Sequence, residues 1–531
     1  MDYVLSFIKI RDQPLGRQVC LTMPKFLLGC FKLKDFNDEM QRDHSRKFNV
    51  HAWSEHKAVK KLVNKIFNSF TIDDQEMLVP TSNNKGKSDS LKQLRTTLAD
   101  LYVGWKTDPT LCTGISRNNN DYKPKSRYNA LHIPKKITKV FDVLCEYKYL
   151  DIIKGAYNPE KPWLSRTTRY RPTELLQSLF NEIAISQYEI NLRYKEECII
   201  LRDKDPDDQK EKKAKDIEYI DTPETCSMRL EVQAYNKLML EHYVDLPTLQ
   251  VPYIIREEKT KFGHPSQKLY PVDQLHKFTR RIFSRNSWEL NGRWNGGFWQ
   301  NLPKHMRRDI FIDNEPTDEI DYSGLHPSIL ALENGFRLTG DRYDMERQVS
   351  SNIHPSHQRE VIKKLVLICI NAKTKQKAFK AFHNKHSGYK NDDLEVLLDA
   401  FVAKHPYLES SLCSDQGIRL MNIDSKITTH IINQFVALDI PILSIHDSYI
   451  VKLKDTGLLR SAMSVACIEV LGADIEAEAR TKKDLEYLKY ATTWRSMDRD
   501  FYLDTFKHLT HFEKCIEYGD RYEEWKKWKG I

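Results

Sequence analysis

The chain has 531 residues, with 83 lysines and arginines against 74 acidic residues for a formal net charge of +9. That length favours two to four domains over one. The basic excess suits a polyanionic partner without proving one. Ten scattered cysteines with no Cys-x-x-Cys pair argue against a zinc ribbon or a disulfide framework and suit a reducing compartment. No run of about 18 apolar residues occurs, and the apolar stretch after Met1-Asp2-Tyr3 is too short for a signal segment. Neither a membrane span nor secretion is expected, and the expected location is the cytoplasm of a bacterial or phage-infected cell.

Residues 1–128 read as a mostly helical region. Thr81 to Ser88 and Arg117 to Arg127 interrupt it, and both are expected to be loops, because Asn, Gly, Pro and Ser supply turns and no apolar period runs through them. Over 129–202 the pattern changes. Ile137, Val140, Phe141 and Leu144 keep helical spacing, and Leu150-Asp151-Ile152-Ile153 reads as a strand. A turn-rich Gly155 to Pro162, a basic strand from Ser165 to Pro172 and a helix opening at Thr173-Glu174 follow. This order is similar to the latter part of a winged-helix module, which implies phosphate contacts from Arg166, Arg169 and Arg171. An ordinary basic hairpin accounts for the same residues, and both readings stand. The almost wholly charged run 203–216 is a linker or a solvated helix, and 217–274 reads as a helical thumb-like or connecting region. Asp216-Ile217-Glu218 has the Asp-x-Glu form of a proofreading exonuclease but borders the charged run, so proofreading is not expected.

From Leu275 the character shifts again. His276 to Phe283 is basic with interleaved aromatics, and Gly292 to Pro303 is glycine-aromatic. Aromatic rings beside arginine can stack bases, which makes Arg280, Arg281 and Arg293 candidate nucleic-acid contacts. A structural turn around buried tryptophans explains the same pattern. Two later segments each set an acid in an apolar run: Glu319-Ile320-Asp321-Tyr322, and Ile442 to Val451 with Asp447 inside it. An ionised carboxylate is costly there unless paired or metal-bound, so Asp321 and Asp447 are candidate ligands of divalent metal. The first segment is expected as a strand ending near Asp321, a turn at Ser323-Gly324 and a helix from about Pro327. The second is expected as a hairpin bending at His446-Asp447-Ser448. Between them, Arg359 to Ala372 reads as a helix with Arg359 and Lys363 one turn apart on one face, placed to hold a triphosphate. A plain helix with a basic face is the alternative.

An acid-bearing strand, an Arg-x-x-x-Lys helix and His446-Asp447-Ser448 between hydrophobic strands resemble, in order and spacing, motifs A, B and C of the single-subunit right-hand polymerases. Motif C is similar to that of family A DNA polymerases and phage-type RNA polymerases. Asp321-Tyr322-Ser323 begins like family A, and Leu325-His326-Pro327-Ser328 continues like the family B motif A. The resemblance covers about Leu275 to Tyr487 and implies an α+β fold in which the helical N-terminal region precedes a palm and fingers over 275–490. It implies two Mg²⁺ ions, replaceable by Mn²⁺, on Asp321 and Asp447, with Arg359 and Lys363 on the incoming triphosphate. His446 would support the primer terminus or the palm strand. His326 falls where these enzymes screen the sugar, and its bulk leans toward deoxynucleotides. The partners implied are template and primer DNA and nucleoside triphosphates. Leu367 and Asn371 stand where family A and phage-type enzymes carry aromatics, while Asn371 resembles the Asn of the family B fingers helix; the chain fits neither family cleanly.

Residues 491–531 read as a helical tail in which Trp525 and Trp528, at helical spacing, pack rather than bind bases. His383, His386 and His430 lack metal-ligand spacing. The first functional reading is a DNA polymerase from a phage, plasmid or bacterial mobile element. Alternatives are an RNA polymerase or primase on the same palm, a non-catalytic DNA-binding replication or regulatory protein, and, more weakly, a two-metal nuclease. Oligomeric state is not legible.

Overall fold

The computed structural model describes residues 44–78, 84–204, 214–260, 262–479 and 514–531. The chain divides at His44, and the fold is that of Ser45–Ile531. The expectations that fall on residues 1–43, on 205–213 of the charged run and on 480–513 lie outside the described residues.

The N-terminal part comprises β1 (Ser45–Lys47), α1 (Lys57–Ser69), α2 (Ile72–Leu78), α3 (Asn84–Thr107), β2 (Cys112–Ile115), α4 (Ile137–Glu146), β3 (Leu150–Ile153), β4 (Thr168–Pro172) and α5 (Glu174–Ile183). In α1, Val59, Leu62, Val63, Ile66 and Phe67 recur at helical spacing and are all buried. His56 caps this helix, its Nδ1 accepting from the Ala58 N–H at 3.2 Å. The strands form one sheet in the order β1-β2-β4-β3, with Phe141 of α4 against Tyr170 of β4 at 4.8 Å between ring centroids.

Three expectations are corrected here. Residues 84–88 belong to helix α3 rather than a loop, because the buried Leu94, Leu98 and Leu101 anchor a helical period that carries the polar first turn with it. Helix, strand, strand and helix follow in the expected order over 137–183, but β4 pairs with β2 on one side and β3 on the other, so it is interior to its sheet. Arg169 and Arg171 are each only 6% exposed there and are not presented to phosphate. Burial also lowers the Arg171 guanidinium from its ordinary value.

Next come β5 (Ile199–Leu201), α6 (Pro223–Glu241), β6 (Val244–Asp245), β7 (Tyr253–Lys259), β8 (Pro265–Pro271), β9 (Arg280–Ser284) and β10 (Ser287–Asn295). α6 opens on a capping box between Thr222 and Thr225 with Pro223 in its first turn. The third correction falls just beyond it: β7 and β8 form an antiparallel hairpin where helix was expected. Tyr253-Ile254-Ile255 and Leu269-Tyr270 favour extended backbone, and Gly263, at φ +83°, supplies the left-handed residue of the turn.

The remaining elements are α7 (Lys304–Arg307), β11 (Phe311–Ile312), β12 (Glu315–Tyr322), α8 (Leu325–Glu333), α9 (Pro355–Asn371), α10 (Lys375–Lys385), α11 (Asn391–Lys404), α12 (Gly417–Ala437), β13 (Leu443–Ile445), β14 (Ser448–Lys452), α13 (Thr456–Leu471), β15 (Ala477–Ala479) and α14 (Ile516–Lys529). The central sheet runs β13-β14-β12-β11-β6, and β15 also pairs with β12. Strand alternation turns Ile320, Tyr322 and Tyr449 into the core. Two hydrogen bonds fix this face under the helices: the Tyr322 hydroxyl donates to the Met463 carbonyl of α13 at 2.7 Å, and the Tyr449 and Thr428 hydroxyls meet at 2.8 Å against α12. Helix α14 seats Trp525 in a small core with Tyr188, Tyr243 and Tyr518, and Trp528 packs at its rim. The whole is a mixed α and β fold with several small sheets. Among the described residues no helix is long and apolar enough to cross a membrane.

Candidate active site

The two sequence-predicted acids, far apart in the chain, are brought together by the register of the central sheet. Asp321 near the end of β12 stands opposite Ser448 of β14. The N–H of Tyr322 donates to the carbonyl of Asp447 at 3.2 Å, so the end of β12 is laced to the bend between β13 and β14. His446 makes that bend at φ +56°, an unusual conformation for a bulky residue and one that sharply redirects the chain. On its other side Asp321 stands opposite Glu478 of β15.

A third carboxylate stands near Asp447. Asp424 of α12 is fully buried. Arg293 of β10 donates through Nε to Asp424 Oδ2 at 2.7 Å, and its Nη2 lies 3.1 Å from Nε2 of His326 in the first turn of α8. Arginine only donates, so His326 Nε2 accepts and the ring is neutral. Burial, helped by Arg293, pushes this imidazole down to about 4. The Asp447 carboxyl is pushed up by burial and by the nearby charge of Asp424, with Arg293 and His326 opposing. Burial and Arg293 likewise lower the His446 imidazole. Among the described residues, Asp424 Oδ1 and His446 Nδ1 are buried without a hydrogen-bond partner, an uncommon state for two polar atoms at one site.

The donor chemistry of Asp321, Asp447 and Asp424 is of the kind a divalent cation takes. The donors are carboxylate oxygens, the hard ligands Mg²⁺ takes, and Mg²⁺ is commonly held by one or two carboxylates while keeping much of its water. A cation would also relieve the mutual repulsion of Asp447 and Asp424. Among the described residues no group of three or more His, Cys, Asp or Glu side chains is placed to hold a metal ion. Glu319, two residues before Asp321, is already committed: Arg307 reaches it at 2.8 Å and the Ser448 hydroxyl at 2.8 Å.

The other predicted residues divide. Arg359, Lys363 and Asn371, four and then eight residues apart, lie on the exposed side of α9, whose opposite side buries Val361, Ile362, Leu365, Val366, Cys369 and Ile370. Arg359 pairs with Asp341, and Asn371 Nδ2 donates to the Leu367 carbonyl at 2.7 Å. Arg293 joins the acids as a pairing group rather than standing out as a surface contact. Arg281 is 5% exposed. It donates to the Gly292 carbonyl at 3.0 Å and the Ser425 hydroxyl at 3.2 Å, so the expectation of a nucleic-acid contact is corrected to an internal role. Arg280 pairs with Glu196 at 3.1 Å. Arg166 donates to the Trp163 carbonyl at 2.7 Å, far along the chain from the acids.

Asp424 and Glu478 were missed by sequence reasoning. The signal for Asp424 was an acid flanked by Asn422, Ser425 and Thr428 on the buried side of a helix that otherwise buries Ile427, Ile431 and Phe435.

No family model matches the chain, and no curated protein matches it. Among solved structures the chain is similar to the POL domain of Pol1 from M. smegmatis, in a complex with DNA primer-template and dNTP. The match has 11% identity and a TM-score of 0.26, covering 79% of this chain and 80% of that one. A likeness of that size carries no argument about function.

Proposed function

We propose that this chain is a template-directed nucleotidyltransferase of the polymerase type, extending a DNA primer. The observation that supports this most is the pairing of β12 with β14, which sets Asp321 beside the Asp447 bend within the field of a third buried acid. In this reading the central sheet is a palm and α9 to α11 are fingers. Asp321 and Asp447 would hold divalent metal, Mg²⁺ foremost. Bound metal there would supply activation of the attacking hydroxyl and charge neutralisation on the departing pyrophosphate.

The chain's own residues do the rest. Lys363, exposed on α9, and Arg359 beside it orient the triphosphate. Arg359 must exchange Asp341 for phosphate, a small cost because surface ion pairs contribute little. His326, held neutral by Arg293, presents a bulky ring without adding charge next to the sugar. Arg293 offsets part of the negative charge of Asp424 while leaving that carboxylate's second oxygen available.

The test is Mg²⁺-dependent extension of a labelled primer on a DNA template, with dNTPs and NTPs in separate tubes and a primer-free control. Extension by the wild type that is lost in Asp321→Ala supports the reading, and the productive tube names the sugar. Synthesis in the primer-free tube selects the primase or RNA polymerase alternative. No incorporation anywhere with DNA binding intact selects the non-catalytic binding protein.

A further inference from the structure

Far along the chain from the acids, two hairpin tips meet. The connection between β3 and β4 spans residues 154–167, and the turn between β7 and β8 lies at residues 260–264. Trp163 of the first stacks on His264 of the second at 4.2 Å between centroids with 23° between the ring planes. Phe262 closes on the same Trp163 ring at 5.8 Å.

Both tips are built rather than loose. Ala156 and Arg166 exchange backbone hydrogen bonds at 3.1 and 2.8 Å. A Cβ on Gly155 would lie 2.5 Å from the Arg166 carbonyl oxygen, so only glycine permits this backbone approach. In the second tip the Thr260 N–H donates to the His264 carbonyl at 2.7 Å, and Gly263 donates back to Thr260 at 2.8 Å.

Apolar surface here faces solvent. Tyr157 is 80% exposed, Leu164 48% and Phe262 43%. The charge around it is mostly positive: 154–167 contains Lys154, Lys161 and Arg166 against Glu160 alone, and 259–268, which follows Glu257 and Glu258, contains lysines and no carboxylate. Exposed rings among lysines, on rigid backbone, are complementary to unpaired bases strung on phosphates, since every base has a stackable face and every linkage a negative charge.

The second hairpin is anchored to the rest of the fold. Arg256 of β7 donates to the Asn301 carbonyl at 2.9 Å. In the same short turn as Asn301, Trp299 and Gln300 donate to the Ser444 carbonyl of β13 at 3.0 and 2.9 Å. The second hairpin is thus tied through residues 299–301 to β13 of the central sheet.

We infer that the paired tips form a binding site for single-stranded nucleic acid, with Tyr157, Trp163 and Phe262 as stacking surfaces and Lys154, Lys161 and Lys259 as phosphate contacts. This site differs from a winged-helix contact to duplex DNA, whose Arg169 and Arg171 are buried. It is also independent of the acids and of the proposed synthesis.

The test uses the full chain and fluorescence anisotropy with labelled dT20, rU20 and a blunt DNA duplex. Tyr157→Ala and Phe262→Ala each weaken single-strand binding about tenfold and leave duplex binding unchanged. The double substitution Lys154→Ala with Lys161→Ala, at exposed positions that cannot unfold the tip through lost packing, lowers the slope of log affinity against log salt by about 1.4. Asp447→Asn binds dT20 as the wild type does, whether or not it synthesises. Tighter binding of dT20 or of rU20 identifies DNA or RNA as the strand held. Unchanged single-strand affinity in the aromatic and lysine variants overturns the inference, as does an equal loss on duplex and single strand.

Discussion

At the scale of single residues, the site is governed by charges held where water cannot screen them well. Arg293 and Asp424 illustrate this: the side chains are 17% and 1% exposed and 2.6 Å apart at their closest. Such a pair adds little net stability, but removing one partner strands the other charge. Arg293→Met should therefore destabilise the fold by about 3 kcal/mol in urea denaturation, whereas Arg293→Met combined with Asp424→Leu should recover most of the loss. An additive double mutant would refute the pairing.

A second residue makes stability depend on pH. Lys277 is 2% exposed, its ammonium donating to the His242 carbonyl. Burial pushes it down to about 7 despite the pull of Asp313 and Asp273. Between about pH 7 and its ordinary 10.5 the unfolded chain holds a proton there that the folded chain has released, so the unfolded state binds more protons and stability rises with pH across that window. Below pH 7 both states carry the proton and the cost of burying the charge is felt in full, on the order of 5 kcal/mol. Lys277→Met should be more stable than the wild type at pH 6, and the difference should shrink as pH climbs toward 10. Thermal melts across that range measure it, and a pH-independent difference would count against a buried, destabilised ammonium.

At the scale of elements, backbone geometry sets where the charges stand. β10 carries an irregularity in its pairing with β9 just before Arg293, and Gly292 occupies it at φ +82°. A Cβ there would also lie 2.7 Å from the Phe283 ring. Gly292→Ala should cost about 1–3 kcal/mol through left-handed strain and this collision, read as a fall in the urea midpoint. A neutral substitution would mean that the bulge relaxes without it.

The acid segments were legible in the sequence because each is a short apolar run interrupted by one costly residue, and a run of that kind declares its strand locally. Helix α9 was legible for the same local reason. Asp424 was not, since a single acid in a 21-residue amphipathic helix looks like surface until the partner β10 is known. The arginines of β4 misled in the opposite sense: alternation in Arg169-Tyr170-Arg171 suggests one wet face, whereas in the folded chain both arginines are buried. The β7–β8 hairpin, read as helix, turns on one glycine whose conformation composition does not reveal.

At the scale of the whole molecule, the C-terminal helix α14 ties distant parts together. Arg521 reaches the buried Asp245 of β6 at 2.9 Å, Tyr518 donates to Asn314 next to β11 at 3.0 Å, and the Ser186 hydroxyl from the N-terminal part donates to Glu524 at 3.2 Å. Asp245 is 1% exposed, and burial raises its carboxyl despite Arg521. Arg521→Ala should cost about 3 kcal/mol and expose the N-terminal part to limited proteolysis. Unchanged melting and digestion would show that the Arg521–Asp245 pair does not hold α14 in place.

The central claim is that Asp321 and Asp447 act together in nucleotidyl transfer, and single-turnover incorporation of one nucleotide into a pre-bound primer-template tests it most directly. Asp321→Asn and Asp447→Asn, near-isosteric changes that remove charge alone, should each slow incorporation by about a thousandfold or more while leaving primer-template affinity close to that of the wild type. Incorporation by either variant at a rate close to that of the wild type would contradict the account.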